Sequence, residues 1–269
     1  MNFAIIGCGF IFQRHVDVIN MIGGKIVGTC DIDKSKNATF VNYRDMLQSK
    51  EFMKDVDCIV ICTPNYLHAE MVRDSLRTGK IVLCEKPLCI NTDFTGLEGV
   101  NVVHQLHFHP LFNTICDKLK NANKIKAVLK AYRDDDFWNS WKGDEQKSGG
   151  VIYILGSHII DLLVSALGNN FKIINAIDGM KKSYGLINIG GKDIEYDFEF
   201  LPSRDGQTRH LEIDGEKYVL STKDNLSFEG LHYKVYQALI NGNITKLDDV
   251  KPSIMIMDKI KKFRYEKDK

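Results

Sequence analysis

Hydrophobic and polar positions change their rhythm part-way along the chain. Residues 3–6 form a short apolar run, and after Gly7-Cys8-Gly9 the side chains Phe12, Val16 and Ile19 recur at helical spacing until Gly23-Gly24. That order predicts a strand, a glycine turn and a helix. Residues 25–30 then read as a second strand ending at Asp31, and residues 58–62 as a continuous apolar strand of the kind a parallel sheet buries on both faces. Asn65 stands where it can cap a helix carrying Leu67, Met71, Val72 and Leu76 on one face; Gly79 closes that helix, and residues 81–84 follow as another buried strand.

Farther along, the period shortens to two. Residues 127–133, 171–176, 184–189 and 193–200 read as strands, the last with Ile194, Tyr196, Phe198 and Phe200 on one face, and Gly190-Gly191 and Asp214-Gly215 are hairpin signals. Alternating strands and helices followed by a run of strands predict an α/β protein of two domains. The first, residues 1–110, is a Rossmann-type dinucleotide-binding domain. The second, residues 111–269, is expected to be an α/β domain whose open, mainly antiparallel sheet is covered by a long apolar helix over residues 151–167.

Composition narrows the function without naming it. The 269 residues are 44% hydrophobic, enough for a sizeable core, and 36 Lys and Arg against 35 Asp and Glu leave a formal charge of +1. So even a balance points to neither nucleic acid nor an anionic membrane surface as partner. The N-terminus runs into a strand without an export signal, and no apolar run reads as long enough to cross a bilayer, so a cytoplasmic location is expected. Cys8, Cys30, Cys58, Cys62, Cys84, Cys89 and Cys116 fall mostly in strand-like contexts and read as small buried hydrophobes, and no pair-and-pair spacing calls for a metal. The Lys-rich stretch from Lys259 reads as a solvated helix face and tail.

Candidate chemistry begins at the first glycine turn. With Gly7 and Gly9 between strand and helix, and Phe10 and Ile11 leading into the helix N-terminus, backbone N–H groups can approach a pyrophosphate. Asp31 ends the next strand about 20 residues on, where an acid accepts the adenosine ribose hydroxyls and repels a 2′-phosphate; together these favour NAD over NADP. Phe12 stands where a third glycine is often found. Glycines in such a turn also have a purely steric use.

Two ordered segments carry a resemblance. Thr63-Pro64-Asn65-Tyr66-Leu67-His68, with Glu85-Lys86-Pro87 after the next helix and strand, and the later Gly149-Gly150 followed by Gly156-Ser157-His158 and Asp161, resemble the glucose-fructose oxidoreductase and inositol dehydrogenase (Gfo/Idh/MocA) superfamily. The resemblance implies an NAD-dependent sugar dehydrogenase. It gives Lys86 a place beside the nicotinamide and the reacting hydroxyl, a cis peptide bond at Pro87, and the proton-accepting role to His158; Thr63, Pro64, Asn65, His68 and Glu85 would help to hold the cofactor. A turn lysine and a core histidine are the plainer alternatives for Lys86 and His158.

Gln105, His109 and Ser140-Trp141-Lys142-Gly143-Asp144, with Gly230-Leu231-His232, are similar to the branch that oxidises UDP-N-acetylglucosaminuronic acid at C3 on the way to surface-polysaccharide sugars, some members recycling NADH with 2-oxoglutarate. By that likeness Gln105, His109, Trp141, Lys142 and the residue at Ile154 bind substrate, which makes the second domain the substrate-binding one, and the free face of its open sheet suggests oligomerisation there, to a homodimer or homotetramer. The chain also departs from the branch. Ile154 replaces an Asp or Asn one turn before the histidine, His107 stands where Arg is common, and the segments between Asp31 and Tyr43 and between Leu88 and His104 are short. Dehydrogenases of another nucleotide-sugar, a free sugar or a cyclitol, and a non-catalytic NAD or sugar sensor, remain alternatives. Asp31 carries a direct prediction: titration calorimetry should find tighter binding of NAD(H) than of NADP(H), and equal affinities would contradict its role.

Overall fold

A computed structural model describes residues 1–220 and 229–266. The first part of the chain forms β1 (Asn2–Ile6), α1 (Phe12–Met21), β2 (Lys25–Cys30), α2 (Tyr43–Gln48), α3 (Lys50–Lys54), β3 (Cys58–Ile61), α4 (His68–Leu76), β4 (Ile81–Cys84) and the short β5 (Asn101–Val102). Its sheet is parallel throughout, in the order β2-β1-β3-β4-β5. All four residues of β3 are buried, as its unbroken apolar run requires. Strand order reverses at β1, which has β2 on one side and β3 on the other, and open α/β sheets bind ligands beyond the carboxyl ends of their strands at such a point. Beside β2 the short segment after Asp31 leaves only an isolated bridge between Cys30 and Phe40.

Gly7 makes the switch point possible. Its φ is +97°, its N–H donates to the Cys30 carbonyl at 2.8 Å, and a Cβ there would lie 2.8 Å from the Cys62 carbonyl carbon. One expectation shifts: Pro64, with φ −58°, begins the turn a residue early, so Asn65 lies buried in a 3-10 turn (Asn65–Leu67) ahead of α4 instead of capping it.

The second part supplies α5 (Phe112–Asn121), β6 (Ile125–Tyr132), α6 (Asp135–Trp138), α7 (Glu145–Ser148), α8 (Ser157–Leu167), β7 (Phe171–Asp178), β8 (Lys182–Ile189), β9 (Lys192–Leu201), β10 (Thr208–Ile213) and β11 (Glu216–Val219), and α9 (Glu229–Ile240) and α10 (Leu247–Glu266) follow. The sheet order is β11-β10-β6-β9-β8-β7, antiparallel except between β6 and β9. Ile125, Ala127, Leu129 and Ala131 stand in register with Ile194, Tyr196, Phe198 and Phe200, and all eight are buried on one face. The opposite face carries a charge ladder, with Lys130 bridging Asp197 at 2.8 Å and Glu199 at 3.0 Å, beside the exposed Ile177 and Tyr184. Both hairpin signals hold, with φ of 57° and 82° at Gly190-Gly191 and 50° and 86° at Asp214-Gly215.

The apolar helix expected over residues 151–167 is divided. Ile152–Gly156 forms a π-helical turn and α8 begins at Ser157. Gly156 lets this segment lie directly on the sheet, since a Cβ there would be 2.9 Å from the Phe198 ring. By length and composition the helical stretch Glu145–Leu167 could cross a membrane, contrary to the expectation that no run is long enough; 78% of its apolar window is buried inside the fold, so packing accounts for that character. Nor is the Lys-rich end wholly solvated: Lys261 pairs with Glu145 at 2.7 Å and donates to the Gly149 carbonyl at 3.1 Å. All seven cysteines are buried without disulfides.

Contacts divide the chain into two compact units, and not at residue 110 alone. The first is Met1–Cys89, Asp93–Gln105 and Glu229–Asp248; the second is Ile90–Thr92 with the described parts of Leu106–Phe228 and Asp249–Lys269. Helix α9 returns to the first unit because its buried Leu231, His232, Val235, Tyr236 and Leu239 cover α1 and β1, the Tyr236 ring lying 5.7 Å from that of Phe3. The two loop glycines give a paired prediction, because a Cβ at Gly9 would meet nothing within 4 Å. Urea unfolding should show Gly7→Ala less stable by about 1–3 kcal/mol and Gly9→Ala within about 0.5 kcal/mol of the parent. Equal losses would contradict this division of roles.

Candidate active site

At the carboxyl end of β1, the N-terminus of α1 is built to receive an anion. Ile11 stands at the N-cap without a side-chain hydrogen bond and no acid occupies the first turn, so the leading N–H groups lack a side-chain acceptor. Asp31 is pinned at the mouth of this loop: one carboxylate oxygen accepts the Cys8 N–H at 2.7 Å and the other the Asp33 N–H at 2.8 Å. Phe10 and Ile32, 88% and 86% exposed, add apolar surface. Ile32 was not among the candidate residues, although a large apolar side chain directly after a strand-end acid is a readable signal. Open glycine loop, uncapped helix end and fixed acid together fit a dinucleotide.

The neighbouring strand ends are tied together by His68. Its buried ring contacts the Thr63 and Pro87 carbonyls, both at 2.7 Å, and burial pushes its pKa down against the pull of those oxygens. In the neutral ring the single N–H donates to one of these carbonyls, and the ring sits between the loops after β3 and β4. Lys86-Pro87 is a cis peptide bond, as the resemblance implies.

Glu85 immediately precedes them and is buried. One carboxylate oxygen faces Nε2 of His15 at 3.0 Å and Nε2 of His232 at 3.4 Å, and the other accepts the Lys86 N–H at 3.1 Å. Burial alone would raise the Glu85 pKa, but the two imidazoles outweigh it and hold the carboxyl well below the usual range. Tyr236 Oη meets Nδ1 of His15 at 2.8 Å, so a neutral His15 can accept there and donate to Glu85. The three donor atoms lie within 4.8 Å of one another, close enough to share a metal, yet hydrogen bonding already accounts for their arrangement. His15 and Tyr236 escaped the sequence reading, and His232 entered it only as a family marker. The available signal was a histidine inside the apolar face of the helix after the glycine turn.

In the second unit, His158 is half-buried in the first turn of α8 and Ile154 half-buried in the π turn before it. Asp161, one turn on and fully buried, accepts from Nε2 of His107 at 2.6 Å. Burial pulls the His107 pKa down, but the Asp161 carboxylate outweighs it and the net shift is upward. Trp141 and Lys142 are half-buried in the turn Trp141–Gly143, made tight by Gly143, whose added Cβ would strike the Trp138 carbonyl. His109 is buried and accepts the Leu111 N–H on Nδ1 at 3.0 Å, shaping the entry to α5. Gln105 is buried at the end of a segment of the first unit.

Residues 1–98 match the oxidoreductase family's NAD-binding Rossmann fold, and residues 117–185 match the same family's C-terminal alpha/beta domain. The chain belongs to the Gfo/Idh/MocA oxidoreductase family. Its first unit contains the family's NAD-binding domain. The structure is similar to that of the WlbA (WbpB) dehydrogenase from Thermus thermophilus in complex with NAD and alpha-ketoglutarate, with TM-score 0.84 and 25% identity over 98% of this chain and 94% of that one. It is also similar to the same enzyme in complex with NAD and UDP-GlcNAcA, with TM-score 0.80 and 26% identity over 96% and 94%. Among curated relatives, 2,7-anhydro-N-acetylneuraminate hydratase of Escherichia coli (strain K12) is 25% identical over 66% of this chain and 53% of its own length. Glucose-6-phosphate 3-dehydrogenase of Bacillus subtilis (strain 168) is 26% identical over 59% and 51%. The matched part of the chain thus spans about half the length of these curated relatives.

The His107–Asp161 pair has a pH signature. Because the folded His107 pKa is raised, its stabilisation is complete below the unfolded value near 6.5 and declines as pH rises through the higher folded value. Urea unfolding of the parent and His107→Gln should therefore show a stability gap that shrinks between about pH 6 and pH 9; a constant gap would contradict the ion pair.

Proposed function

We propose that this protein is an NAD-dependent sugar dehydrogenase that oxidises C3 of UDP-N-acetylglucosaminuronic acid, or of a close UDP-sugar, in surface-polysaccharide sugar biosynthesis. The observation carrying the reading is the strand-end set Glu85-Lys86-Pro87, with Glu85 buried and hydrogen-bonded to the Lys86 backbone. The full-length likeness to the Thermus thermophilus enzyme bound to NAD and UDP-GlcNAcA supports the substrate class. NAD, when bound, supplies a nicotinamide that takes the hydride from the carbinol carbon. The Lys86 ammonium donates a hydrogen bond to the hydroxyl oxygen and makes its proton easier to remove, and a ring nitrogen of His158 takes that proton, leaving a ketone. Gly7, Gly9, Phe10, Ile11, Asp31, Thr63, Pro64 and Asn65 form the cofactor side, with His68 and Glu85 holding its strand ends. Gln105, His109, Trp141, Lys142 and Ile154 line the sugar side. Cofactor recycling by 2-oxoglutarate, a cytoplasmic location and a homodimer or homotetramer complete the proposal, the last supported by Ile177 and Tyr184 on the uncovered sheet face, 57% and 40% exposed.

A second reading, a sensor that binds NAD or sugar without turning it over, draws support from Ile154, an apolar side chain one helical turn before His158. Kinetics of two variants separate the readings. His158→Asn and Lys86→Met should each lower kcat by about a hundred- to ten-thousand-fold while NAD affinity and melting temperature stay near those of the parent. Acting on one hydroxyl, they should lose less together than the product of the separate losses. Full activity in either variant would remove its assigned role.

A further inference from the structure

Within the second unit, a lysine near the end of α10 reaches a backbone joint 112 residues earlier in the chain. Lys261 Nζ pairs with Glu145 Oε1 at 2.7 Å, donates to the Gly149 carbonyl at 3.1 Å and lies 3.7 Å from Asp178 Oδ2. Glu145 opens α7, Gly149 closes it and Asp178 ends β7, so one ammonium ties α10 to α7 and to the sheet. Asp178 is buried, and Lys261 and Glu145 are half-buried.

The joint separates two stretches that are each fixed from within. Before it, the turn Trp141–Gly143 carries Trp141 and Lys142 and runs into α7, where Asp144 caps the helix through the Gln146 N–H at 2.9 Å and its carbonyl accepts the Ser148 hydroxyl at 2.8 Å. After it come Ile154 in the π turn and His158 in α8. The Gly150 carbonyl accepts the Ile154 N–H at 3.0 Å, and the Val151 N–H donates to the Met180 carbonyl at 3.1 Å. Between the two stretches stand Gly149 and Gly150, both with positive φ, +83° and +77°. Glycine reaches such a backbone easily and leaves it as easily. The joint is crossed by a local bond, from the Gly150 N–H to Ser148 Oγ at 3.1 Å, and braced from a distance by Lys261.

The groups around the ammonium differ in kind. Glu145 and Asp178 supply the charge that keeps it in place, and the neutral carbonyl is what it holds. Two carboxylates share this one lysine, and the effect is visible at the buried one: burial raises the Asp178 pKa more than the Ser183 hydroxyl and Lys261 lower it, Glu145 adding to the rise.

We infer that Lys261 is a positioning residue: by holding the Gly149 carbonyl it fixes the Gly149-Gly150 joint and with it the placement of the Trp141–Gly143 turn relative to His158. Its bearing on turnover rests on the dehydrogenase reading, which gives Lys142 to the sugar and His158 to the proton. Lys261 itself touches neither substrate nor reacting atoms. Misplacing a reacting group by about 1 Å can cost on the order of a hundredfold in rate, so a remote fastening of this kind is felt in the kinetics.

The test uses the full chain, with steady-state kinetics on UDP-N-acetylglucosaminuronic acid and NAD, calorimetric titration of NADH, thermal melting, and hydrogen exchange of the amides of residues 149–158. Lys261→Met should lower kcat/KM by about tenfold to a hundredfold, leave the Kd of NADH unchanged and speed exchange across 149–158. It also leaves Glu145 and Asp178 facing each other, so it should melt lower, as it would if the lysine served stability alone. The triple variant Glu145→Gln, Asp178→Asn, Lys261→Met removes those charges and separates the two roles, and it carries the same test if the single variant does not fold. A positioning lysine predicts that the melting temperature returns toward the parent's while slow turnover and fast exchange persist. Recovery of kcat/KM and of slow exchange together with the melting temperature would overturn the inference, as would parental kinetics and exchange in Lys261→Met. Should the parent oxidise no UDP-sugar, exchange decides: fast exchange in the triple variant at the parental melting temperature keeps the fastened joint and rejects the dehydrogenase reading, whereas parental exchange rejects both.

Discussion

A carboxylate with almost no access to water is a costly thing to place inside a protein, and Glu85 is tolerated because three donors converge on it. Leaving such a charge unpaired would cost several kcal/mol, so the elements carrying its partners must come together if the fold is to form. His15 comes from the helix after the glycine loop, the Lys86 N–H from the next residue along the chain, and His232 from a helix about 150 residues later. The constraint explains why the chain returns to its first unit through α9. It also links the two parts of the proposed cofactor side, because α1 begins at the glycine loop and Lys86 directly follows Glu85. Tyr236 extends the chain of hydrogen bonds to a fourth side chain.

Close backbone approach is the second device, and each unit uses it beside residues of the proposed site. Gly7 lets the loop after β1 lie against the Cys62 carbonyl, Gly143 seats the lysine-bearing turn on Trp138, and Gly156 sets the π turn against Phe198. A wide π turn directly before His158 departs from regular helix where the resemblance puts chemistry, a common place for such turns. Charge is handled oppositely in the two units. In the first, a buried anion is satisfied by histidines; in the second, Lys130 pairs with Asp197 and Glu199 on the sheet, while the Arg133 guanidinium lies over the Phe137 and Phe200 rings.

The architecture was legible in the sequence because its determinants are local and periodic. Apolar runs marked β1, β3 and β4, period-two alternation marked β9, and glycine pairs marked the hairpins. What escaped depends on residues distant in the chain. Nothing local to Glu229–Ile240 says that its apolar face covers α1, so a boundary at 110 could not show the return to the first unit. Asn65 was misplaced by one turn because Pro64 pre-sets the backbone. In the candidate site, the glycine loop, Asp31 and Glu85-Lys86-Pro87 were visible as motifs. His15 showed only as a histidine on the apolar face of its helix, and its meaning comes from Glu85, 70 residues away. His68 was visible, but its place between two backbone carbonyls was not.

The central claim is that this chain transfers a hydride from a UDP-sugar carbinol carbon, and the most direct measurement follows that hydrogen. UDP-N-acetylglucosaminuronic acid carrying deuterium at C3 should be mixed with stoichiometric protein and NAD, and the reduced cofactor analysed by mass spectrometry. The account predicts NADH heavier by one mass unit together with a 3-keto sugar. Unlabelled NADH would move the oxidised carbon elsewhere on the sugar, and saturable NAD binding with no reduced cofactor from this or any related UDP-sugar would contradict the dehydrogenase itself.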